Sequence, residues 1–145
     1  MTRHEILRIL DANFNRSREG LRVCEEITRF VMEDPALTSQ LKKARHEVSN
    51  CLKDFPVPIP ELVAARDSRR DVGKRTSTTE KVRQNAKGLF LANIERSKES
   101  LRVLEEVSKL IDPATSDRLK KIRFKAYTLE KKILKKMETV RDHRS

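Results

Sequence analysis

The sequence predicts an all-α protein, an antiparallel four-helix bundle that consists of two repeated helical hairpins joined by a long central loop. Three observations support this fold class. Long runs of Leu, Val, Ile, Glu, Lys and Arg favour helices, and the 145 residues include only three glycines. No alternating apolar run is bounded by Asn-Gly or Asp-Gly turns, so there is no clear β-hairpin. Much of the sequence of the first half also recurs in the second half, and such an internal repeat indicates repeated structural units.

The first helix, predicted at 3–32, contains the start of the repeat. The stretch "NFNRSREGLRVCEE" (13–26) returns as "NIERSKESLRVLEE" (93–106), and ten of twenty aligned positions are identical at an offset of 80. The similarity continues at an offset of 78, where "DPALTSQLKKAR" (34–45) matches "DPATSDRLKKIR" (112–123). The repeated unit is therefore a helix, an Asp-Pro turn and a second helix.

The Asp-Pro turns define the other helices. Asp accepts hydrogen bonds from free backbone N–H groups at a helix start, and Pro fits the first turn because it has no N–H to lose. The pairs at 34–35 and 112–113 therefore begin the second helix of each hairpin, and such short turns make the hairpins antiparallel. Ser77 and Glu80 form a capping-box pattern before the third helix. We predict helices at 3–32, 35–54, 78–111 and 115–141, hence hairpins 3–54 and 78–141 within one domain, 1–145.

The central loop, residues 55–77, is the only long irregular segment of the sequence. Prolines alternate at positions 56, 58 and 60, which favours an extended chain, although Pro60 can open a short helical turn to Ala65. A loop of more than about 15 residues in a compact domain is usually functional or disordered. Its second half is rich in charge and contains Arg66, Asp67, Arg69, Arg70, Asp71, Gly73, Lys74 and Arg75.

The formal net charge of +11 is concentrated in the last helix. Residues 118–145 contain eleven Lys or Arg and three acids, a balance of +8, which leaves +3 for the rest. Such a segment suits an anionic partner, for example phosphate, nucleic acid or an acidic surface. Alternatively, it is a solvated helix face that forms ion pairs. The sequence leaves these two interpretations open.

The remaining composition argues against several classes of protein. The first ten residues are too charged for a signal peptide, and no apolar run reaches the ~20 residues of a membrane span. We therefore expect a soluble, cytoplasmic protein. Cys24 and Cys51 align with Leu104 and Leu129 of the repeat, so we expect both in the core rather than in a disulfide or metal site.

Polar residues interrupt the apolar side of the first helix, and the third helix repeats the interruption. At about 100° per residue, Asn13, Ser17 and Gly20 fall within the apolar sector. Burying an unpaired amide or hydroxyl costs roughly 1–3 kcal/mol, so a repeated cost of this kind suggests a purpose. The residues of this pattern are Asn13, Arg16, Ser17, Gly20 and Glu25, with their equivalents Asn93, Arg96, Ser97, Ser100 and Glu105.

Two interpretations of these residues are open. In the structural one, the polar side chains hydrogen-bond across the bundle, exposed acids form ion pairs along the helix, and the small residues allow close helix approach. In the functional one, the two polar patches face a shared pocket between the first and third helices. Arg16 and Arg96 would hold an anion there, and Asn13 and Asn93 would hydrogen-bond a polar ring or a phosphate.

Three ordered motifs resemble a known family. "LDANFNRSREGLRVCEEITRFV", "LVAARDSRRDVG" and "LANIERSKESLRVLEEVSKL" are together similar to the helical domain often fused in front of thiamine-phosphate synthase. The resemblance covers residues 9–132. This family is assigned as a monofunctional hydroxymethylpyrimidine phosphate kinase. The resemblance implies ATP-dependent phosphorylation of 4-amino-5-hydroxymethyl-2-methylpyrimidine phosphate to its diphosphate in thiamine biosynthesis, with ATP and Mg²⁺ as cofactors.

The resemblance also guides the choice of site residues. Because the sequence has no G-x-x-x-x-G-K-[ST] loop, the chemistry must use side chains on the helices and the central loop. Arg16, Arg66 and Arg96 are the expected phosphate clamps, and Asp67 and Asp71 are the expected Mg²⁺ ligands. Gly73 would let the loop bend. The other expected contacts to substrate are Asn13 and Asn93, followed by Glu19, Glu25, Glu99 and Glu105 as partners of the metal or the pyrimidine amine.

The sequence departs from the family in one place and leaves other functions open. The family loop reads Gly-Asp-Val-Gly-Thr where this chain has Arg-Asp-Val-Gly-Lys at 70–74, so the loop either binds phosphate more tightly or serves another role. One alternative is a non-catalytic regulatory domain that binds the pyrimidine phosphate for thiamine enzymes. The other is a basic helical nucleic-acid-binding protein. The expected partners are thiamine-phosphate synthase and a second copy in a homodimer, with no membrane.

Overall fold

The computed structural model describes residues 1–67, 71 and 85–144, with side chains as far as Thr139. Over these residues the secondary structure is helical, without β-strands, so the prediction of an all-α protein is confirmed. None of the helices described is long and apolar enough to cross a membrane. The elements are α1 (Arg3–Glu26) with a π-helical turn (Ile27–Val31), α2 (Pro35–Asp54), α3 (Ile59–Ala64), α4 (Ala86–Ser108) and α5 (Pro113–Arg144).

Helix α1 has a capping box at its start and a wider turn at its end. The Glu5 backbone N–H donates to the Thr2 hydroxyl (3.1 Å), and the Thr2 N–H donates to the Glu5 carboxylate (2.8 Å). At the other end, the Met32 N–H donates to the Ile27 carbonyl (3.0 Å), which closes a π-helical turn. This turn rotates the helix face, so Val31 is 55% exposed although a uniform α-helical period places it on the buried side.

The two Asp-Pro turns begin α2 and α5. The Asp34 carboxylate accepts a hydrogen bond from the Leu37 N–H (2.9 Å), and α2 occupies 35–54 as predicted. This hydrogen bond and the ion pair with Lys136 lower the pKa of the buried Asp34 carboxyl. Helix α5 begins at Pro113 rather than 115 and continues to Arg144 rather than 141.

The segment between the hairpins differs most from the prediction. The short turn expected from Pro60 is present as α3, which begins one residue earlier. The predicted third helix, 78–111, is wrong as one continuous element, because Asn85 has an extended backbone and caps a helix that starts at Ala86. The Asn85 side chain accepts a hydrogen bond from the Gly88 N–H (2.7 Å). The proposed capping box at 77–80 lies outside the described residues.

The four long helices pack around a shared apolar core. Contacts join α1 to α2, α2 to α5, α5 to α4 and α4 to α1. In each pair of helices, the residue numbers of hydrogen-bonded or ion-paired partners rise along one helix and fall along the other. In α2, for example, Glu47 and Asp54 pair with Lys125 and Arg118 of α5. Neighbouring helices therefore run antiparallel. Cys24 and Cys51 lie in this core, as predicted, and burial raises the pKa of both thiols.

Helices α1 and α4 make the most extensive contact of the fold, and small residues bring them together. The Ser97 hydroxyl donates to the Ser17 backbone carbonyl (3.0 Å), so the backbone of one helix is within reach of the other. A β-carbon added at Gly20 would lie 2.7 Å from the Asn93 carbonyl oxygen and 2.3 Å from the Ser97 hydroxyl. Glycine is therefore required at position 20 for this spacing.

We expect Gly20→Ala to lower the free energy of unfolding by about 1–3 kcal/mol, because the Asn93 carbonyl oxygen cannot rotate away from the new methyl group. This loss would exceed the gain of about 1 kcal/mol in helix propensity. Urea unfolding measures the change. Gly88→Ala is the matched control, since its β-carbon would meet only the Asn85 side chain at 3.2 Å. Equal stability of the two variants would contradict the close contact.

Candidate functional site

A cavity of about 510 Å³ lies between the N-terminal half of α1 and the central loop. This volume is within the range of small-molecule sites. Its lining combines three arginines with four acids, so both signs of charge are present. The lining residues are Glu5, Arg8, Ile9, Asp11, Ala12, Asn13 and Arg16 of α1, with Arg66, Asp67 and Asp71 of the loop.

Helix α1 contributes Asn13 and Arg16, both of which were expected at the site. The lining positions of α1 recur mostly three and four residues apart, so they form a stripe along the helix. The Asn13 side chain is almost buried and donates to the Ile9 carbonyl (2.8 Å), while Arg16 is exposed. The equivalent Asn93 donates to the Leu89 carbonyl at the same distance, 2.8 Å. These polar interruptions place an amide and a guanidinium at the cavity wall.

Arg66 enters from the loop and is held by Asp11. Its Nε lies 2.6 Å from Asp11 Oδ2 and its Nη2 lies 2.9 Å from Oδ1, a bidentate pair. Asp11 is buried, with 8% of its surface exposed, whereas half of the Arg66 side chain is exposed. Hydrogen bonding to Asp11 raises the pKa of Arg66. The sequence led us to expect that the Arg66 guanidinium contacts a phosphate. Two of its N–H groups instead donate to Asp11.

Asp67 and Asp71, the expected Mg²⁺ ligands, line the same cavity. Proteins often bind Mg²⁺ through one or two carboxylates, with phosphates and waters completing the coordination. Two carboxylates in one cavity fit such a site. Within the part of the chain that the structure describes, no group of three His, Cys, Asp or Glu could hold a metal ion by itself. Gly73, the remaining expected loop residue, lies outside that part.

Equivalent residues of the repeat meet where α1 packs against α4. Ser17 and Ser97 are equivalent in sequence, and the Ser97 hydroxyl donates to the Ser17 carbonyl. Further along, the Cys24 thiol donates to the Phe90 carbonyl (3.8 Å), so residue numbers rise along one helix and fall along the other.

Arg16 and Arg96 are equivalent residues near the contact between α1 and α4. Each arginine directly precedes one of the contacting serines. Both are exposed. The cavity is lined by Arg16 and Asn13 but not by Arg96 or Asn93. The joint action of the two polar patches therefore stays a prediction.

The expected contacts Glu25 and Glu105 are buried in ion pairs between the helices of each hairpin. Arg45 Nε lies 2.8 Å from Glu25 Oε2, and Arg123 Nε lies 2.8 Å from Glu105 Oε2. The partners are equivalent in the repeat, so the second helix of each hairpin supplies the same arginine. Neither glutamate lines the cavity. These buried ion pairs explain why both copies of the repeat have a glutamate at this position, without a role in binding a ligand.

The other two expected glutamates, Glu19 and Glu99, line a pair of equivalent surface grooves. One groove lies between α1 and α2, has a volume of about 480 Å³ and includes Glu19 and Arg22. The other lies between α4 and α5, has a volume of about 390 Å³ and includes Glu99 and Arg102. The arginines pair with acids one turn further along their own helices. The structure thus separates these glutamates from the cavity.

Part of the positive charge of α5 is used in ion pairs with other helices. Arg118 and Lys125 lie 3.1 Å from Asp54 and Glu47 of α2, respectively. Arg123 and Lys136 also form pairs, with acids of α4 and of the α1–α2 turn. The interpretation of this segment as an ion-paired helix face is therefore supported. Its use in binding nucleic acid stays a prediction.

Sequence reasoning did not identify Asp11 or Arg8 as site residues. Asp11 precedes the block of twenty aligned positions, and the equivalent residue of the second copy is Leu91. An acid in one copy and a leucine in the other was the signal that could have indicated a role specific to the first copy. Arg8 lies still further from the repeated block, and the same offset sets it against Gly88.

Comparison with known proteins identifies the family. The ThiD2 family model matches residues 8–132. The chain belongs to the ThiD2 family. It is 43% identical over 130 residues to a thiamine-phosphate synthase of a Synechocystis species, which covers 89% of this chain and 36% of that protein. A thiamine-phosphate synthase of Rhodopirellula baltica is 35% identical over 133 residues, 91% of this chain and 35% of that protein.

This ThiD2 chain therefore spans about a third of the length of the curated relatives that it matches. A thiamine-phosphate synthase of Nostoc punctiforme gives the same result, with 41% identity over 130 residues and 35% of its length covered. No solved structure matches the chain.

We expect Arg123→Leu to lower the free energy of unfolding by about 3 kcal/mol, because the Glu105 carboxylate would stay buried without its partner. Urea unfolding measures the loss. Arg102→Leu is the control, since it removes only an exposed pair with Glu106 and should cost about 1 kcal/mol or less. Similar losses in the two variants would show that the Glu105 pair is not a structural element.

Proposed function

We propose that this protein is an ATP-dependent kinase that converts 4-amino-5-hydroxymethyl-2-methylpyrimidine phosphate to its diphosphate in thiamine biosynthesis. Membership of the ThiD2 family and relatives named thiamine-phosphate synthase support the thiamine context. The observation that carries the kinase proposal is the cavity of α1. It brings together five residues expected at the site, namely Asn13, Arg16, Arg66, Asp67 and Asp71.

The charges of the cavity suit a phosphorylated substrate with a metal ion. A phosphate monoester carries roughly −1.5 to −2 charges at neutral pH, and arginine binds such groups through paired N–H donors. Arg8 and Arg16 line the cavity and would bind the substrate phosphate. The Asn13 amide, held by its hydrogen bond to Ile9, would meet the polar edge of the pyrimidine ring.

The reaction requires positioning more than acid–base catalysis. In the proposed step, an oxygen of the substrate phosphate forms a bond to the γ-phosphorus of ATP. The bond from that phosphorus to the β–γ bridging oxygen breaks, and ADP leaves. The attacking oxygen is already ionised, so the step needs in-line placement and stabilisation of charge.

Asp67 and Asp71 are the residues that would hold Mg²⁺. The ion would neutralise charge on the phosphates during transfer. Two carboxylates suffice when phosphate oxygens supply further ligands. Because Asp67, Asp71 and the arginines of α1 line the same cavity, the metal and the guanidinium groups would contact the same phosphates.

We expect Arg16→Ala to reduce kcat/KM for the pyrimidine phosphate by about 100-fold, because the phosphate would lose its placement. The measurement is diphosphate formation from purified protein, ATP, Mg²⁺ and substrate. Arg16 is exposed, so the fold should be unaffected. Arg22→Ala is the control, since Arg22 pairs with Glu26 on the same helix away from the cavity.

Equal activity of the Arg16 and Arg22 variants would remove Arg16 from the site. Arg96→Ala then tests the second polar patch, which contributes only if this variant also loses activity. Tight binding of the pyrimidine phosphate by the unmodified protein without diphosphate formation would support the regulatory alternative and contradict the kinase.

We expect Asp67→Asn and Asp71→Asn each to raise the Mg²⁺ concentration needed for half-maximal activity, because an amide is a weaker ligand than a carboxylate for a hard cation. Titration of activity with Mg²⁺ at saturating ATP measures this shift. Asp117→Asn, at an exposed position of α5, is the control. If all three variants have the same Mg²⁺ dependence, the metal is held elsewhere.

A further inference from the structure

The central loop is fastened to α1 immediately before Asp67. Arg66 forms its bidentate pair with Asp11, and its backbone N–H donates to the Val63 carbonyl (3.1 Å) at the end of α3. A bidentate pair of a planar guanidinium and a carboxylate fixes orientation as well as distance. Consecutive Cα atoms are about 3.8 Å apart, so fixing Arg66 strongly restricts Asp67.

The acid that holds the loop is specific to one copy of the repeat. Asp11 is buried in the first copy, and Leu91 occupies the equivalent position of α4. The other polar residues of this part of the helix, Asn13 and Arg16, occur in both copies. Two helices with repeated sequences offer the loop two similar surfaces. Asp11 distinguishes one surface from the other.

The solvent exposure of Arg66 indicates that its pair with Asp11 affects the nearby loop more than the stability of the whole fold. Half of the Arg66 side chain is exposed, so water screens the attraction and its contribution to global stability is small. Asp11, in contrast, is buried and needs a partner for its charge. The pair is therefore better suited to fixing the loop than to holding the helices together.

We propose that Asp11 is a positioning residue, whose pairing with Arg66 fixes the carboxylate of Asp67 at the cavity. In this arrangement Arg66 is an anchor for the loop, and its guanidinium is not a phosphate clamp. The inference rests on the proposed kinase function for its activity measurements, but the pairing itself has a readout that does not depend on that function.

The test of activity is a double-mutant cycle. Asp11→Leu gives α1 the residue that α4 has, and Arg66→Gln removes the guanidinium. If both act through the same contact, each single variant and the double variant lose kcat/KM by the same factor, about tenfold or more, and all need more Mg²⁺. If Arg66→Gln loses far more activity than Asp11→Leu, Arg66 contacts the phosphate directly and the proposal is wrong.

The control for this cycle is Glu61→Gln. It breaks the exposed pair of Arg3 with Glu61, which also joins α1 to α3 but does not line the cavity. We expect its kcat/KM and Mg²⁺ dependence to match those of the unmodified protein. A loss equal to that of Asp11→Leu would show that any contact between α1 and residues 59–66 has the same effect, and would overturn a specific role for Asp11.

Hydrogen exchange gives the readout that does not depend on catalysis. In Asp11→Leu, the backbone amide of Arg66 should exchange faster than in the unmodified protein, and in Glu61→Gln it should not. If exchange is faster and the unmodified protein forms no diphosphate, the positioning role of Asp11 is supported and the kinase proposal is wrong. If exchange is unchanged and the unmodified protein is active, the positioning role is wrong and the kinase proposal is supported.

Discussion

The close contact between α1 and α4 is the constraint on which the rest of the structure depends. With Gly20 against the Asn93 carbonyl, the backbones are near enough for the Ser97 hydroxyl to reach the Ser17 carbonyl. Asn13 and Arg16 shortly precede Ser17 on α1, so this contact holds the helix segment that contributes them to the cavity.

The polar identities of the repeat differ in their surroundings. Glu25 and Glu105 recur because each is buried beside an arginine of the second helix in its hairpin. Asn13 and Arg16 line the cavity where the central loop meets α1, whereas their copies Asn93 and Arg96 do not line it. Both sets are polar residues at helical spacing. The repeat alone therefore could not separate structural residues from candidate site residues, and the separation required the partners of each side chain.

Much of the fold followed from local patterns. The Asp-Pro turn predicted the start of α2, because the Asp34 carboxylate caps an N–H group only three residues away. The same reasoning missed the helix start at Ala86, which Asn85 caps; the capping-box pattern at 77–80 lies outside the described residues. Signals of this kind identify candidates for a helix start but do not rank them.

The candidate site was predictable in part for a similar reason. Asn13 stood out because it interrupts an apolar stripe, Arg16 because it recurs at the border of that stripe, and Asp67 and Asp71 because they lie in a long charged loop. The partner of Arg66 could not be found in this way. Asp11 is 55 residues away in sequence, and their pairing depends on where the loop crosses α1, which no periodicity encodes.

The end of α1 shows how a duplicated hairpin accommodates a difference in length. The first copy has two residues, Met32 and Glu33, that have no equivalent in the second, and the offset between copies falls from 80 to 78. The π-helical turn and the left-handed backbone of Glu33 (φ 52°) accommodate them. Insertions at this corner are therefore confined to it, and the two copies can diverge in length there without shifting the register in which α1 meets α4.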